Sequence, residues 1–162
     1  MKIINIVLSL QLSFFLASPA SADVSGSRQS CIIEAMSAGA AALGNPAELV
    51  TLYQRYFDGD KVAQLAAGNY WNQYDDAKKD AQRSRVQKVV VQRVAPSLSR
   101  YKGSEVRFIG ESGMKVRGVV KARDGERRKI TWFFDGSACK FINVSIDGLG
   151  SLIGLVGKEP LK

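Results

Sequence analysis

Four stretches in the second half of the chain alternate apolar and polar residues, and this period of two limits the fold more than any other feature. Short turns containing Gly or Asp, such as Asp124-Gly125-Glu126, separate the stretches. The pattern predicts an antiparallel four-stranded sheet with one apolar face, which other elements must cover. Its apolar positions are Val106 and Phe108; Val116, Gly118 and Val120; Ile130, Trp132 and Phe134; and Ile142, Val144 and Ile146.

The residues before this region carry helical patterns that could cover the apolar face. Helices are predicted over residues 31–43 and 47–57, over a short segment capped by Asp60, and over 76–100 with a kink at Pro96. A short apolar segment, Leu149 to Val156, follows the last strand. The fold class predicted from this order is α+β, with N-terminal helices packed on a twisted four-stranded antiparallel sheet.

The N-terminus has the three parts of a secretory signal peptide. Lys2 supplies a charge, residues 3–16 are mostly apolar, and Ala20-Ser21-Ala22 offers a cleavage position before Asp23. A retained membrane anchor is less favoured because the apolar run is too short to span a bilayer. We therefore expect residues 1–22 to be a signal peptide and residues 23–162 to form a single exported domain.

Charge and composition narrow the possible functions. The net charge is +8, and the basic residues are scattered over helix and strand positions, as on an ordinary solvated surface. Export makes nucleic acid the least expected partner of such a chain. Anionic lipid and acidic proteins remain as alternatives.

The sequence offers little equipment for catalysis or metal binding. It contains no histidine, and its paired carboxylates lie in predicted caps or turns. Its glycines do not form a phosphate-binding loop. We expect no metal, no cofactor and no enzymatic activity.

The two cysteines, Cys31 and Cys139, lie near opposite ends of the expected exported chain. In an oxidising compartment their simplest fate is a disulfide between the first helix and the last strands. Two buried free thiols are the alternative, since spacing alone does not determine pairing.

Small residues at predicted helix–sheet contacts have two interpretations. Gly118, Ala63, Ala66, Ala67 and Gly68 could leave room for a ligand in an apolar cavity, or could simply allow close packing. Periodicity does not separate a filled core from a pocket.

Several spaced residues resemble a known family. They are Phe57-Asp58, Val62-Ala63, Gly68, Trp71, Tyr101-x-Gly103 and Val144-x-Ile146-Asp147-Gly148. Their order and spacing are similar to those of the MlaC family, also called the toluene-tolerance family, of periplasmic phospholipid-binding proteins. The chain differs from the family pattern at Gly59, where a third apolar or aromatic residue is usual, and at Pro96, within a helix that is usually uninterrupted.

The resemblance implies a monomeric periplasmic lipid shuttle with an NTF2-like cone, which holds acyl chains in an apolar cavity. It also implies transient membrane contact, with lipid passing between an inner-membrane ABC transporter complex and an outer-membrane lipoprotein complex. A related branch suggests a hopanoid-type ligand. Two other classes of function stay open. One is an exported interaction module with a filled core. The other is an enzyme on an NTF2-like fold, which is less favoured because the predicted inward positions lack acidic and basic side chains.

The candidate lipid-binding residues lie on the apolar faces of their elements. They are Tyr70, Trp71, Val86, Val90, Val94, Phe108, Val116, Val120, Trp132, Phe134 and Ile146. Basic residues near the predicted mouth could contact head groups or acidic partners, and these are Arg123, Arg127, Arg128 and Lys129.

Overall fold

The structure, a computed structural model, describes residues 22–98, 105–121, 125–136 and 139–157. Residues 1–21 of the predicted signal peptide lie outside this part of the chain, as do Arg100, Tyr101, Gly103, Arg123 and Asp124. Within the described ranges, no helix combines the length and the apolar character that crossing a bilayer requires.

Helices precede a sheet, and one short helix follows it, as expected for an α+β fold. The helices are α1 (Ala22–Ala41), α2 (Pro46–Tyr56), α3 (Gly59–Ala67), α4 (Asp76–Val89), α5 (Ala95–Leu98) and α6 (Leu152–Gly157), with a 3₁₀ helix over Gly68–Gln73 and a π-helix over Val90–Val94. The strands are β1 (Val106–Ser112), β2 (Lys115–Lys121), β3 (Arg127–Phe134), β4 (Phe141–Ile146) and β5 (Gly150–Ser151).

The sheet is antiparallel throughout, with strand order β1-β2-β3-β4-β5. The prediction of four strands was therefore wrong by one. It missed β5, which has only two residues and too few positions to show a period. Val116, Val120, Ile130, Trp132 and Phe134 are buried on one face, which confirms the predicted alternation in β2 and β3.

One predicted inward position in β4 was wrong. The register between β3 and β4 shifts so that Phe133 is opposite Asn143 while Phe134 is opposite Phe141. Ile142 is the extra residue of this irregularity, and Phe141 takes the buried place at 3% exposure. Alternation alone does not reveal where a strand carries an extra residue.

Side-chain caps set the starts of three helices. The side chains of Asn45, Asp58 and Asp75 accept hydrogen bonds from the backbone N–H groups three residues later. The predicted cap Asp60 was wrong because Asp58 performs this role for α3. Asp60 lies in the first turn, where its carboxylate pairs with Arg83.

The long helical pattern is interrupted earlier than predicted. α4 ends at Val89, and a π-helix follows in which the N–H of Ala95 donates to the carbonyl of Val90. Pro96 then lies in the first turn of α5, where its missing N–H leaves no bond unmade. A wider π-helical turn therefore lies directly before Pro96, where the sequence predicts a kink.

Helix α1 is attached to the sheet by a disulfide. Cys31 and Cys139 are bonded, with their Cα atoms 5.8 Å apart and 108 positions between them in sequence. This confirms the predicted pairing over the alternative of free thiols. The helix itself begins at Ala22, well before the predicted start at Cys31.

A buried arginine makes the second attachment of α1. Arg28 is 6% exposed and donates to the Glu111 carboxylate at 2.8 Å and to the Gly113 carbonyl at 2.7 Å. It also donates to the carbonyl of Gly136 at 3.0 Å, and its guanidinium lies 5.6 Å from the centre of the Phe134 ring. One side chain therefore binds the turns after β1 and after β3.

Replacing both cysteines with serine should lower the free energy of unfolding by about 2 to 5 kcal/mol, because the bridge closes a long loop in the unfolded chain. Urea unfolding of the oxidised protein and of the Cys31→Ser/Cys139→Ser variant measures the difference. The oxidised protein after reduction is the matched control and should behave like the variant. Equal midpoints for all three samples would show that the bridge does not stabilise the fold.

Candidate functional site

An apolar cavity of about 110 Å³ lies between α1, the segment after α4 and the inner face of the sheet. Every side chain that lines it is apolar, and none of them titrates. The lining residues are Ala35, Met36, Gly39, Ala40, Leu43, Phe57, Val94, Ala95, Ile130, Trp132, Phe141 and Val144.

Small residues on α1 form one wall of the cavity. Ala35, Gly39 and Ala40 follow one another at helical spacing, so they share the face that is turned to the sheet. A Cβ atom at Gly39 would meet no other heavy atom within 4 Å. The space in front of this helix is therefore open, and larger side chains at these positions would fill it.

Aromatic rings close the side of the cavity next to α2. Phe57, the C-cap of α2, stacks on Tyr53 with ring centres 5.5 Å apart and meets Phe141 edge-on at 5.4 Å. Phe141 in turn meets Phe134 at 5.1 Å. The N–H of Asp58 donates to the carbonyl of Phe141 at 3.0 Å, which holds Phe57 against β4.

The π-helix changes which residues reach the cavity. Val86, Val89 and Val90 pack with residues of α3 and α6 in a helical cluster, whereas Val94 packs against that cluster and also lines the cavity together with Ala95. A regular helix would have kept the valines on one stripe, as the sequence predicted. The wider turn instead directs the end of the helical segment toward the sheet.

Two of the candidate lipid-binding residues, Val94 and Trp132, line the cavity. Others are buried around Trp132 in the cluster between α1 and the sheet, and Phe108 packs against that cluster. Those buried residues are Val116, Val120, Phe134 and Ile146.

The remaining candidates lie away from the cavity. Val86 and Val90 belong to the helical cluster, and Trp71 packs at its edge. Tyr70 is 64% exposed. No observation of the described residues tests lipid contact, so the role of the whole set stays a prediction. Of the predicted mouth cations, Arg127 and Lys129 are exposed on the opposite face of the sheet.

Sequence reasoning missed the α1 wall. The run of small residues from Ala38 to Ala42 was interpreted only as the tail of a helix, although a helix with a small-residue face is a signal for close approach or for open space. It also missed Phe57 as a lining residue, and it missed Phe141 because of the irregularity in β4.

A polar cleft of about 590 Å³ lies on the other side of Phe57. Its residues include Asp58, Asp60, Arg83 and Lys140. Arg83 pairs with Asp60 and Asp80, and Lys140 donates to the carbonyl of Gln54 at 2.7 Å. Most of these charged groups already have hydrogen-bond or ion-pair partners within the protein. The cleft is therefore a weaker candidate for ligand binding than the apolar cavity.

Gly59 has a packing role at the edge of this cleft. A Cβ atom there would lie 2.6 Å from the hydroxyl oxygen of Tyr53. The departure from the family pattern at this position therefore makes room for the tyrosine. Burial, and then the negative charges of Asp60 and Asp58, raise the pKa of Tyr53 to about 12.

The site supports binding by burial of apolar surface and offers no groups for bond breaking. Across residues 22–98 and the later described ranges, no three residues of the types His, Cys, Asp or Glu come together as metal ligands.

The raised pKa of Tyr53 predicts a loss of stability at high pH. Below pH 10 the tyrosine is protonated in both states, whereas between about pH 10 and 12 only the unfolded chain loses the proton. The free energy of unfolding of the wild type should fall by about 2 to 3 kcal/mol more than that of Tyr53→Phe over this range. Urea unfolding at several pH values measures this difference.

The exposed residue Tyr70 provides the matched control, since Tyr70→Phe also removes one tyrosine. This variant should keep the pH dependence of the wild type. Identical pH profiles for the wild type and Tyr53→Phe would contradict the assignment.

Comparison with solved structures shows a related fold. The chain is similar to the phospholipid-binding protein from Ralstonia solanacearum, solved in complex with a phospholipid, with a TM-score of 0.64 and 17% sequence identity. The match covers 80% of this chain and 83% of that one. No curated protein matches the chain significantly.

Comparison with protein families confirms the resemblance found in the sequence. The family described as MlaC protein matches residues 32–153, which include α2 to α4, all five strands and the residues around the cavity. The chain belongs to the MlaC family.

Proposed function

We propose that this protein binds phospholipid by taking an acyl chain into the cavity between α1 and the sheet, and that it carries the lipid through the periplasm. The observation that carries the proposal is the cavity itself, which is apolar on every side. Family membership and the phospholipid in the similar solved structure support it. Holding the ligand needs only burial, which is worth about 0.8 kcal/mol per CH₂ group.

The cavity volume limits how much of the ligand can be bound. At about 110 Å³ it is smaller than the usual ligand pocket of roughly 300 to 1,000 Å³, so it accepts a segment of one acyl chain. Full loading requires the cavity to widen. The widening would take place at the small-residue face of α1 and at the π-helix, which form two of the walls.

The proposal assigns direct acyl contact to Val94 and Trp132. As the cavity deepens along the sheet, Phe108, Val116, Val120, Phe134 and Ile146 come within reach. If the cavity extends toward the helical cluster, Val86 and Val90 also come within reach of the acyl chain. Trp71 and Tyr70 would contact the ligand only outside the cavity, near a head group.

The wider role follows the family resemblance. The proposal places the protein between an inner-membrane ABC transporter complex and an outer-membrane lipoprotein complex, as a monomer that makes transient membrane contact. The predicted signal peptide supports export to the periplasm. An NTF2-like cone, in which the sheet curves around the acyl chains, is part of the same proposal.

A second candidate function is an exported interaction module with a filled core. The small cavity volume is the observation that favours it, because about 110 Å³ is well below the roughly 300 Å³ of the smallest usual ligand pocket. A hopanoid-type ligand is a further variant of lipid carriage. Identification of co-purifying molecules separates these possibilities.

Filling the cavity should weaken lipid binding without unfolding the protein. In the Gly39→Leu variant the new side chain enters open space, and the loss of a helical glycine favours the helix by about 1 kcal/mol. Displacing two or more CH₂ groups of ligand should weaken lipid binding at least about tenfold. Solvent extraction with mass spectrometry, together with titration of a fluorescent phospholipid, measures the effect.

Ser37→Leu is the matched control, because Ser37 is exposed on the same helix. It should bind lipid like the wild type. Wild-type protein that is purified without detergent, contains no extractable lipid and takes up no labelled phospholipid would reject the proposal in favour of the interaction module. An extracted triterpenoid would change the ligand and leave the cavity assignment intact.

A further inference from the structure

The outer face of the sheet, opposite the cavity, carries a concentration of positive charge. Because side chains alternate along a strand, the residues that point away from the core in β1 to β3 share this face. Six of them are exposed cations: Arg107, Lys115, Arg117, Lys121, Arg127 and Lys129. The net charge of the whole chain is +8, so this one face holds much of the excess.

Few acidic side chains accompany these cations. The other outward positions within β1 to β4 are apolar or neutral, and two exposed carboxylates border the face: Glu105 precedes β1, and Asp147 follows β4, with its N–H donating to the carbonyl of Lys129. No ion pair joins any of the six cations to a carboxylate in the described part of the chain. The ammonium group of Lys115 lies 5.4 Å from the centre of the Phe133 ring. These charges are therefore available to an external partner.

The arrangement works against folding stability. Lys121 is directly opposite Arg127 in the register of β2 and β3. Like charges in this relation destabilise a sheet. A chain with neutral or acidic side chains at these exposed positions would fold at least as well. The concentration of cations therefore indicates a role other than stabilising the fold.

We propose that the outer face of the sheet docks on the surface of anionic phospholipid bilayers. Clusters of four to eight Lys and Arg residues are attracted to such surfaces, and six are present. Ile109, which is 48% exposed, lies in the same strand as Arg107, where it can enter the interfacial region. Charge attraction and apolar insertion would then act together.

An acidic protein partner fits the same face less well. Cores of protein interfaces are depleted in Lys and rich in aromatic residues, yet three of the six cations are Lys and the aromatic residue Phe133 is half-buried. A bilayer surface that presents many phosphate groups can bind a protein face that has no apolar centre. The docking face is also separate from the cavity, which lies on the inner face, so the proposal does not depend on lipid carriage.

Co-sedimentation of the protein, purified after export, with vesicles tests the proposal. The vesicles are phosphatidylglycerol and phosphatidylcholine at about 3:7, compared with phosphatidylcholine alone, at low and at physiological salt. Binding should require phosphatidylglycerol and weaken with salt. The Arg117→Gln/Lys129→Gln variant should bind about 25-fold more weakly, or about fivefold for each cation removed.

Lys78→Gln/Lys88→Gln, which removes two exposed cations from α4, is the matched control and should change binding little. Gly39→Leu should bind vesicles like the wild type, which separates docking from filling of the cavity. Equal loss in the two double variants, or equal binding to neutral vesicles, would overturn the proposal. Binding to immobilised polyglutamate without binding to anionic vesicles would identify an acidic protein surface instead, and would also overturn it.

Discussion

The uneven attachment of α1 to the sheet is the constraint on which the cavity depends. Arg28 and Cys31, in the first half of the helix, hold it to the turns and to the segment before β4. From Ala35 to Ala40 the face of the helix toward the sheet carries Met36 and three small residues, Ala35, Gly39 and Ala40, and these do not fill the distance to the sheet. The cavity is therefore a result of strong attachment at one end and sparse packing at the other.

The sequence predicted the general architecture because the signals for it are local. Alternation in β2 and β3, the cap at Asp75 and the apolar covering helices each depend on a few adjacent residues. The structure departs from prediction where non-local contacts decide. β5 exists only through pairing with Ser145 and Ile146, and Phe141 points inward because β4 has an extra residue opposite β3.

The candidate site was predicted less completely than the fold for a physical reason. An apolar stripe shows which side chains are buried, but a cavity depends on side chains that are absent, such as those at Gly39 and Ala40. The π-helix also places Val94 where it contacts both the helical cluster and the cavity. Arg28 carried no sequence signal, since its role depends on Glu111 and on two turns more than 80 positions away.

The bridge between Cys31 and Cys139 joins the helix that forms one wall of the cavity to the segment before β4, which forms part of another wall. Its two halves are 108 positions apart, and the contact between Arg28 and Glu111 spans 83. Contacts of such long range form late, because the intervening chain must first be ordered. The walls of the cavity are therefore complete only in a chain that has been synthesised through β4, which supplies Phe141 and Val144. Oxidation of the two thiols then adds a covalent link between α1 and the segment before β4.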